Sequence, residues 1–148
     1  MSETLDISTT ESPTWTEQEI RQQPKTWLKA LKNLDTQRRE IDNFLTPILG
    51  HQNVKIILTG AGTSAFIGDM IAPWLARYTD LDIVAVPTTD IVSNPMDYFS
   101  KDRTTLLVSF ARSGNSPESA AAVELANQMI DNAYHLMITC NEAGALYQ

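Results

Sequence analysis

The chain has 148 residues, with 18 acidic and 11 basic side chains and a formal net charge of −7. That length suits one domain, and the single cysteine, Cys140, excludes an intramolecular disulfide. Residues 113–148 contain no Lys or Arg, which argues against a nucleic-acid partner because such a partner requires a basic surface. No apolar stretch approaches the roughly 20 residues that span a bilayer, and the first 20 residues lack the composition of a targeting segment. We therefore expect a cytoplasmic protein that binds neither nucleic acid nor a membrane.

The N-terminal third of the chain has helical character after a polar leader. Residues 1–13 are rich in Ser, Thr and Glu, and we expect them to be disordered. Thr14 and Glu17 have the spacing of a capping box, which predicts a short helix that ends before Pro24. A second helix then runs to a stop signal at Gly50. Its apolar side chains recur at helical spacing and require a packing partner: Trp27, Leu28, Leu31, Leu34, Ile41, Leu45 and Ile48.

From residue 51 the pattern changes to that of a parallel α/β domain. Short runs of β-branched and aliphatic residues, typical of strands buried on both faces, alternate with helix-length segments. The fold class is therefore α/β, a parallel-stranded sheet flanked by helices with an N-terminal helical extension. The predicted regions are a leader at 1–13, N-terminal helices at 14–50 and the α/β domain at 51–148. The predicted strands lie at 54–59, 82–86, 104–110 and 134–140, with helices at 63–79 and 116–131 and short helical turns within 87–103.

The loop after the first strand predicts an anion-binding turn. Gly60 and Gly62 allow the backbone to turn sharply, and Thr63 and Ser64 place hydroxyl groups beside the free amides of a helix start. Residues 60–65, GAGTSA, also fit the dinucleotide-binding pattern G-x-G-x-x-A. A tight strand-to-helix turn that binds nothing is a further interpretation.

The loop after the third strand has the same character. Ser113, Gly114 and Ser116 again place hydroxyl groups and a flexible backbone at a helix start, and Arg112 adds a cation. Taken alone, this sequence is also typical of a turn that binds no ligand, with Ser116 as the N-cap of the following helix. Because loops at the carboxyl ends of neighbouring parallel strands meet at one edge of the sheet, we expect the two loops to converge. Their size suits a single phosphate monoester better than a pyrophosphate.

A dinucleotide ligand ranks second. The acidic residue that such a ligand needs after the second strand is missing, because Val86, Pro87 and Thr88 stand there. We expect no cofactor and no metal, since the few classical ligands of transition metals are too scattered to form a recognisable site: His51, His135 and Cys140.

The loop after the fourth strand adds two candidates for the substrate pocket, Asn141 and Glu142. Both follow the strand at the same edge of the sheet as the other two loops. A carboxylate beside a sugar could move protons, although Glu142 also fits an acid at a helix start.

With these loops in place, the chain resembles the SIS (sugar isomerase) domain family of phosphosugar-binding modules. A strand followed by G-x-G-x-S and a later strand followed by S-G-x-S at a helix start are typical of that family. More specifically, the chain is similar to the amino-terminal part of the tagatose-6-phosphate ketose/aldose isomerase family, also described as galactosamine-6-phosphate deaminase/isomerase, of bacterial N-acetylgalactosamine and galactosamine catabolism. The segments that carry this similarity are WTEQEIRQQP, ILTGAGTSAFIGDMIAPWLA, VPTTDIVSNPMDY, SFARSGNSPESAAAVELAN and ITCNEAGALYQ.

The resemblance implies a flavodoxin-like three-layer sandwich and a phosphorylated amino sugar or ketose as ligand. It also implies a cytoplasmic, homo-oligomeric enzyme of the isomerase or hydrolytic deaminase type. By position, Ser64, Ser113 and Ser116 match the family's phosphate-binding residues, and Arg112 matches an adjacent position that often lines the pocket. Ala111 departs from the pattern, since related domains often place a further serine there.

The family carries two such domains in tandem, and in related isomerases the catalytic glutamate and histidine lie in the second. No residue of this chain matches those positions, so the resemblance implies an amino-terminal fragment whose catalytic residues lie beyond residue 148. Two other functions stay open from the sequence. One is a phosphosugar-sensing module without catalysis, and the other is the dinucleotide-binding domain of an oxidoreductase.

Overall fold

The computed structural model describes residues 13–146. Each predicted strand is found within one residue of its predicted bounds, and the two predicted longer helices within two residues. The elements are α1 (Trp15–Leu49), β1 (Lys55–Gly60), α2 (Ala65–Tyr78), β2 (Asp82–Ala85), α3 (Thr88–Ser93), β3 (Thr105–Ala111), α4 (Pro117–Met129) and β4 (Ala133–Thr139), with 3-10 turns at Gly62–Ser64 and Pro95–Asp97.

The predicted parallel α/β fold is confirmed. The described strands form one sheet in the order β2-β1-β3-β4, and every neighbouring pair is parallel. Since β1 and β3 lie side by side and in register up to Gly60 and Phe110, the loops that follow these two strands lie next to each other at the carboxyl ends of the strands.

Both faces of the sheet are covered, which explains why its strands are apolar at successive positions. On one face Ile56 and Leu58 of β1 belong to a buried cluster that includes Ile48 of α1 and Ala72 of α2. On the other face Ile57 belongs to a second buried cluster, which includes residues of α3 and α4. The result is a three-layer arrangement that holds the carboxyl ends of the central strands in fixed positions.

The prediction of two N-terminal helices is wrong, because α1 is one helix of 35 residues that continues through Pro24. A proline inside a helix removes one backbone hydrogen bond and crowds the carbonyl four residues earlier, but Pro24 does not end this helix. The predicted helix start is confirmed, since the amide of Glu17 donates to Thr14 Oγ1 at 3.3 Å. The carboxylate of Glu17 bonds Arg21 instead of closing the capping box. The predicted disordered leader falls on residues 1–12, outside the described residues, and on Pro13.

Two compact units make up the chain, divided between Phe44 and Leu45. The first unit includes the N-terminal part of α1, and the second includes the sheet with its flanking helices. The predicted boundaries at residues 13 and 50 stay a prediction. Among residues 13–146, no helix combines the length and the apolar character that crossing a membrane requires.

His135 on β4 makes stability depend on pH. Burial lowers the pKa of its imidazole. Nε2 lies 2.8 Å from the acceptor Asn127 Oδ1 and so carries a proton, while Nδ1 is buried without a hydrogen-bond partner among the described residues. A second proton would therefore place a charge on a buried, unpaired atom.

We expect the free energy of unfolding to fall as the pH drops from the ordinary histidine pKa of 6.5 through the lower pKa of the folded state. In that window the unfolded chain binds more protons than the folded one. His135→Gln keeps a donor for Asn127 and removes the titration, so urea unfolding at neutral and mildly acidic pH should show a weaker pH dependence. His51→Gln, at the chain's other histidine, should keep it. If the unmodified chain and both variants showed the same pH dependence of unfolding, His135 would not be the group responsible.

Candidate functional site

A cavity of about 240 Å³ lies where β1 and β3 end. It is smaller than the roughly 300–1,000 Å³ of sites that enclose a whole drug-sized ligand, so it suits one end of a small molecule. The lining residues come from the loops after these two strands, from the last residues of β3 and from the start of α4. They are Ala61, Thr63, Ser64, Phe110, Ala111, Arg112, Ser113, Ser116 and Ser119.

The structure brings most of the predicted phosphate-binding residues together around this cavity. Thr63 and Ser64 reach it from the first loop. Arg112, Ser113 and Ser116 reach it from the second loop. The other two predicted residues, Gly62 and Gly114, do not line the cavity, but both adopt the left-handed backbone conformation, with φ of 55° and 68°. The phosphate-binding role of all seven stays a prediction.

The first loop is held tightly against the end of β1. A Cβ on Gly60 would lie only 2.7–2.9 Å from backbone atoms of Ser64 and Ala65, so the turn closes on a position that admits no side chain. The hydroxyl of Thr88, a fully buried residue, donates to the carbonyl of Gly60 at 3.2 Å. A 3-10 turn at Gly62–Ser64 then leads directly into α2. These contacts fix Thr63 and Ser64 at the rim of the cavity.

The second loop places a pair of serines at the start of α4. Ser116 occupies the N-cap position, but its hydroxyl donates to the hydroxyl of Ser119 at 2.5 Å and makes no capping bond to the helix backbone. Ser113 Oγ accepts the amide of Asn115 at 3.3 Å, so its own proton stays available for an acceptor. The amides at a helix start that lack a side-chain cap are suited to an anion.

Sequence reasoning missed Ser119, which lines the cavity and is 2% exposed. A signal was present, because residues three apart on a helix share a face and Ser119 follows Ser116 by three. It also missed Ala61, Phe110 and Ala111 as lining residues. These three flank the hydroxyl residues at the ends of β1 and β3.

The segment after β4 supports the second loop. Asn141 Nδ2 donates to the carbonyl of Ser113 at 2.8 Å, and the amide of Leu146 donates to the carbonyl of Gly114 at 3.0 Å. Gly144 packs so closely that a Cβ there would lie 2.6 Å from the Ser113 carbonyl oxygen. With these carbonyls engaged, the loop is held in one conformation.

Asn141 and Glu142, the predicted pocket residues, do not line the cavity. Asn141 instead bonds the second loop and also accepts the amide of Ala143 at 3.1 Å. Glu142 is exposed. Contact of either residue with a substrate stays a prediction.

The electrostatics of the cavity favour an anion. Of the described residues, those that line it include one base, Arg112, and no carboxylate. Ser64 and Ser116 are also the N-cap residues of α2 and α4, and the N-terminus of a helix carries a partial positive charge. An anion here would meet hydroxyl groups, backbone amides and one guanidinium, although the chain as a whole is acidic.

Fold and site together define a class: a parallel α/β module with a cavity at the carboxyl ends of its central strands, lined by hydroxyl groups and one arginine. Comparison with known proteins is more specific, because the model of the family described as SIS domain matches residues 48–148. The chain therefore belongs to the SIS domain family.

Within this family the chain is similar to several named proteins. The chain is 64% identical over 135 residues to the D-galactosamine-6-phosphate deaminase AgaS of Escherichia coli, an alignment that covers 91% of this chain and 35% of that protein. It is 52% identical to the protein of that name from Shewanella sp. (strain ANA-3), covering 89% and 35%. The crystal structure of tagatose-6-phosphate ketose/aldose isomerase from Escherichia coli matches with a TM-score of 0.89 and 64% identity, covering 93% of this chain and 37% of that chain. The chain thus spans about a third of the length of these relatives.

Proposed function

We propose that the chain binds the phosphate group of a phosphorylated amino sugar or ketose, as the phosphosugar-binding part of a galactosamine-6-phosphate deaminase/isomerase. The observation that carries this proposal is the cavity between the two helix starts. Five serine and threonine residues and Arg112 line one small volume there: Thr63, Ser64, Ser113, Ser116 and Ser119. Hydroxyl groups, amides and a guanidinium are the groups that hold a phosphate monoester.

The relatives support the same assignment. The names of the curated relatives refer to D-galactosamine 6-phosphate, and the name of the solved structure refers to tagatose 6-phosphate. The conversion of the first sugar phosphate into the second, with release of ammonia, connects these two names and would combine isomerisation with hydrolytic deamination. We propose that the chain takes part in this reaction in the cytoplasm, in a homo-oligomer, together with a second SIS domain of the kind expected in a longer relative.

A titration of the 148-residue chain tests the ligand class. Galactosamine 6-phosphate and tagatose 6-phosphate should each raise the melting temperature as their concentration increases. Unphosphorylated galactosamine should not, because the cavity recognises the phosphate. Stabilisation by NAD without stabilisation by either sugar phosphate would contradict the proposal and favour a dinucleotide-binding module.

Ser113→Ala should weaken the binding of galactosamine 6-phosphate by about 1–3 kcal/mol, the usual cost of losing a hydrogen bond to a charged group. Isothermal titration should therefore show a dissociation constant that is roughly 5- to 150-fold higher. Ser100→Ala is the matched control. Ser100 is exposed and lies before the amino end of β3, whereas the cavity lies at the carboxyl ends of the strands. An affinity unchanged by Ser113→Ala would show that the second loop is only a turn.

A further inference from the structure

Ser119 is a buried serine in the wall of the cavity. It is only 2% exposed, so it offers almost no surface to a ligand. On the same side of α4, three and seven residues further on, lie Ala122 and Ala126, which are fully buried against the sheet. An alanine would continue this row at position 119, and a buried hydroxyl group is unfavourable unless it has a hydrogen-bond partner. The hydroxyl group of Ser119 therefore indicates a role other than packing.

The hydrogen-bond partner of Ser119 is Ser116. The Ser116 hydroxyl donates to Ser119 Oγ at 2.5 Å and accepts no amide of α4, although a serine at the N-cap position normally accepts the amide two or three residues later. The amide of Ser119 donates instead to the Ser116 carbonyl at 3.1 Å. The amide of Glu118 has no acceptor within residues 13–146. Ser119 thus holds the Ser116 hydroxyl away from the helix backbone, and the Glu118 amide stays free.

The two hydroxyl groups can also present a proton to an anion. Each carries one proton, so the hydrogen bond between them can run in either direction. When Ser119 donates to Ser116, the Ser116 proton becomes available to a phosphate oxygen. Hydrogen bonds in such a chain polarise and strengthen one another. An anion in the cavity therefore favours the direction from Ser119 through Ser116 to the ligand.

We propose that Ser119 is a positioning residue, which orients the Ser116 hydroxyl and turns its proton toward the phosphate. This inference rests on the proposed phosphosugar ligand. It assigns Ser119 no direct contact with that ligand, because its side chain is almost fully buried. Ser119 then affects binding only through Ser116.

Ser119→Ala separates positioning from packing. We expect isothermal titration with galactosamine 6-phosphate to show a dissociation constant roughly tenfold higher, because Ser116 turns back to cap α4 and bonds its amides. The urea concentration at the midpoint of unfolding should stay the same or rise, since a side-chain cap stabilises a helix. An unchanged dissociation constant, or a midpoint that falls together with the affinity, would overturn the proposal.

Thr105→Val is the matched control for the loss of a buried hydroxyl group. Thr105 is 1% exposed, and its Oγ1 donates to the carbonyl of Arg103 at 3.0 Å at the amino end of β3, away from the cavity. This variant should unfold at a lower urea concentration and bind the sugar phosphate normally. If it lost as much affinity as Ser119→Ala, binding would report only the stability of the fold, and the positioning role would be refuted.

A double-mutant cycle shows whether Ser119 acts through Ser116. Once Ser116→Ala has removed the hydroxyl group that Ser119 orients, adding Ser119→Ala should weaken binding no further. Losses that add up in the double variant would show an independent effect and overturn the proposal. If the alanine variant does not fold, Ser119→Cys replaces it in both experiments. Cysteine has a similar size but a thiol that bonds only weakly, so the same loss of affinity is expected.

The unmodified chain distinguishes the two levels of failure. If it does not bind galactosamine 6-phosphate, the proposed function is wrong and the role of Ser119 is wrong with it. If it binds and Ser119→Ala binds equally well, only the positioning role is wrong.

Discussion

Gly60→Ala is expected to abolish phosphosugar binding and to lower the free energy of unfolding by about 1–3 kcal/mol. The added Cβ would lie 2.7 Å from the Ser64 carbonyl carbon, 2.8 Å from its oxygen and 2.9 Å from the Ala65 nitrogen. All three are backbone atoms, so a side-chain rotation cannot relieve the collision. The start of α2 must move away from β1, and this movement carries Thr63 and Ser64 away from the second loop. Isothermal titration with galactosamine 6-phosphate and urea unfolding measure the two effects.

Gly50→Ala is the control for this substitution. A Cβ on Gly50 would lie 3.4 Å from the carbonyl oxygen of Thr46 and 3.5 Å from that of Pro47, which are ordinary contact distances. Gly50 follows α1 and does not line the cavity, so its variant should bind the sugar phosphate normally. Binding by the Gly60→Ala variant with unchanged affinity would show that the first loop does not hold the phosphate.

The sheet was predictable because its strands are apolar at successive positions. Residues 56–58 and 106–108 are apolar at three successive positions, a pattern that is typical of strands covered on both faces. The continuity of α1 was not predictable from local signals, since Pro24 is a strong helix breaker in isolation. A long helix with intact turns on both sides can nevertheless include one missing hydrogen bond.

The candidate site was predictable where residues with hydroxyl groups directly follow a predicted strand. The hydroxyl residues at 63–64 and 113–116 stand directly after strands, so the topology alone brings them together. The support from the last segment was not predictable. Asn141 bonds Ser113 across 28 residues, and the amide of Ala145 bonds Asn115 across 30. Contacts so distant along the chain leave no local pattern, and for that reason Asn141 looked like a pocket residue.

The side chains that line the cavity are suited to binding a phosphate but not to catalysing the reaction of the sugar. Aldose–ketose interconversion through an enediol needs a base at C2 of the sugar and an acid at the ring oxygen. The described residues that line the cavity include no carboxylate and no imidazole. A serine hydroxyl is too weak a base for this step without a neighbouring activating group, and a guanidinium group does not act as a base. The cavity can therefore hold and orient a phosphate but has no group suited to move the C2 proton.

We accordingly expect the 148-residue chain to bind galactosamine 6-phosphate and to release no ammonia from it. A coupled ammonia assay measures turnover, and the Escherichia coli relative named D-galactosamine-6-phosphate deaminase serves as the positive control. Isothermal titration on the same preparation shows whether the chain is folded and binds the ligand. Ammonia release that disappears with Ser113→Ala would contradict the expectation, since it would show that this chain supplies its own acid and base. The variants Glu142→Gln and His135→Gln would then test the two candidate groups, because His135 lies on β4 and Glu142 lies in the segment after it.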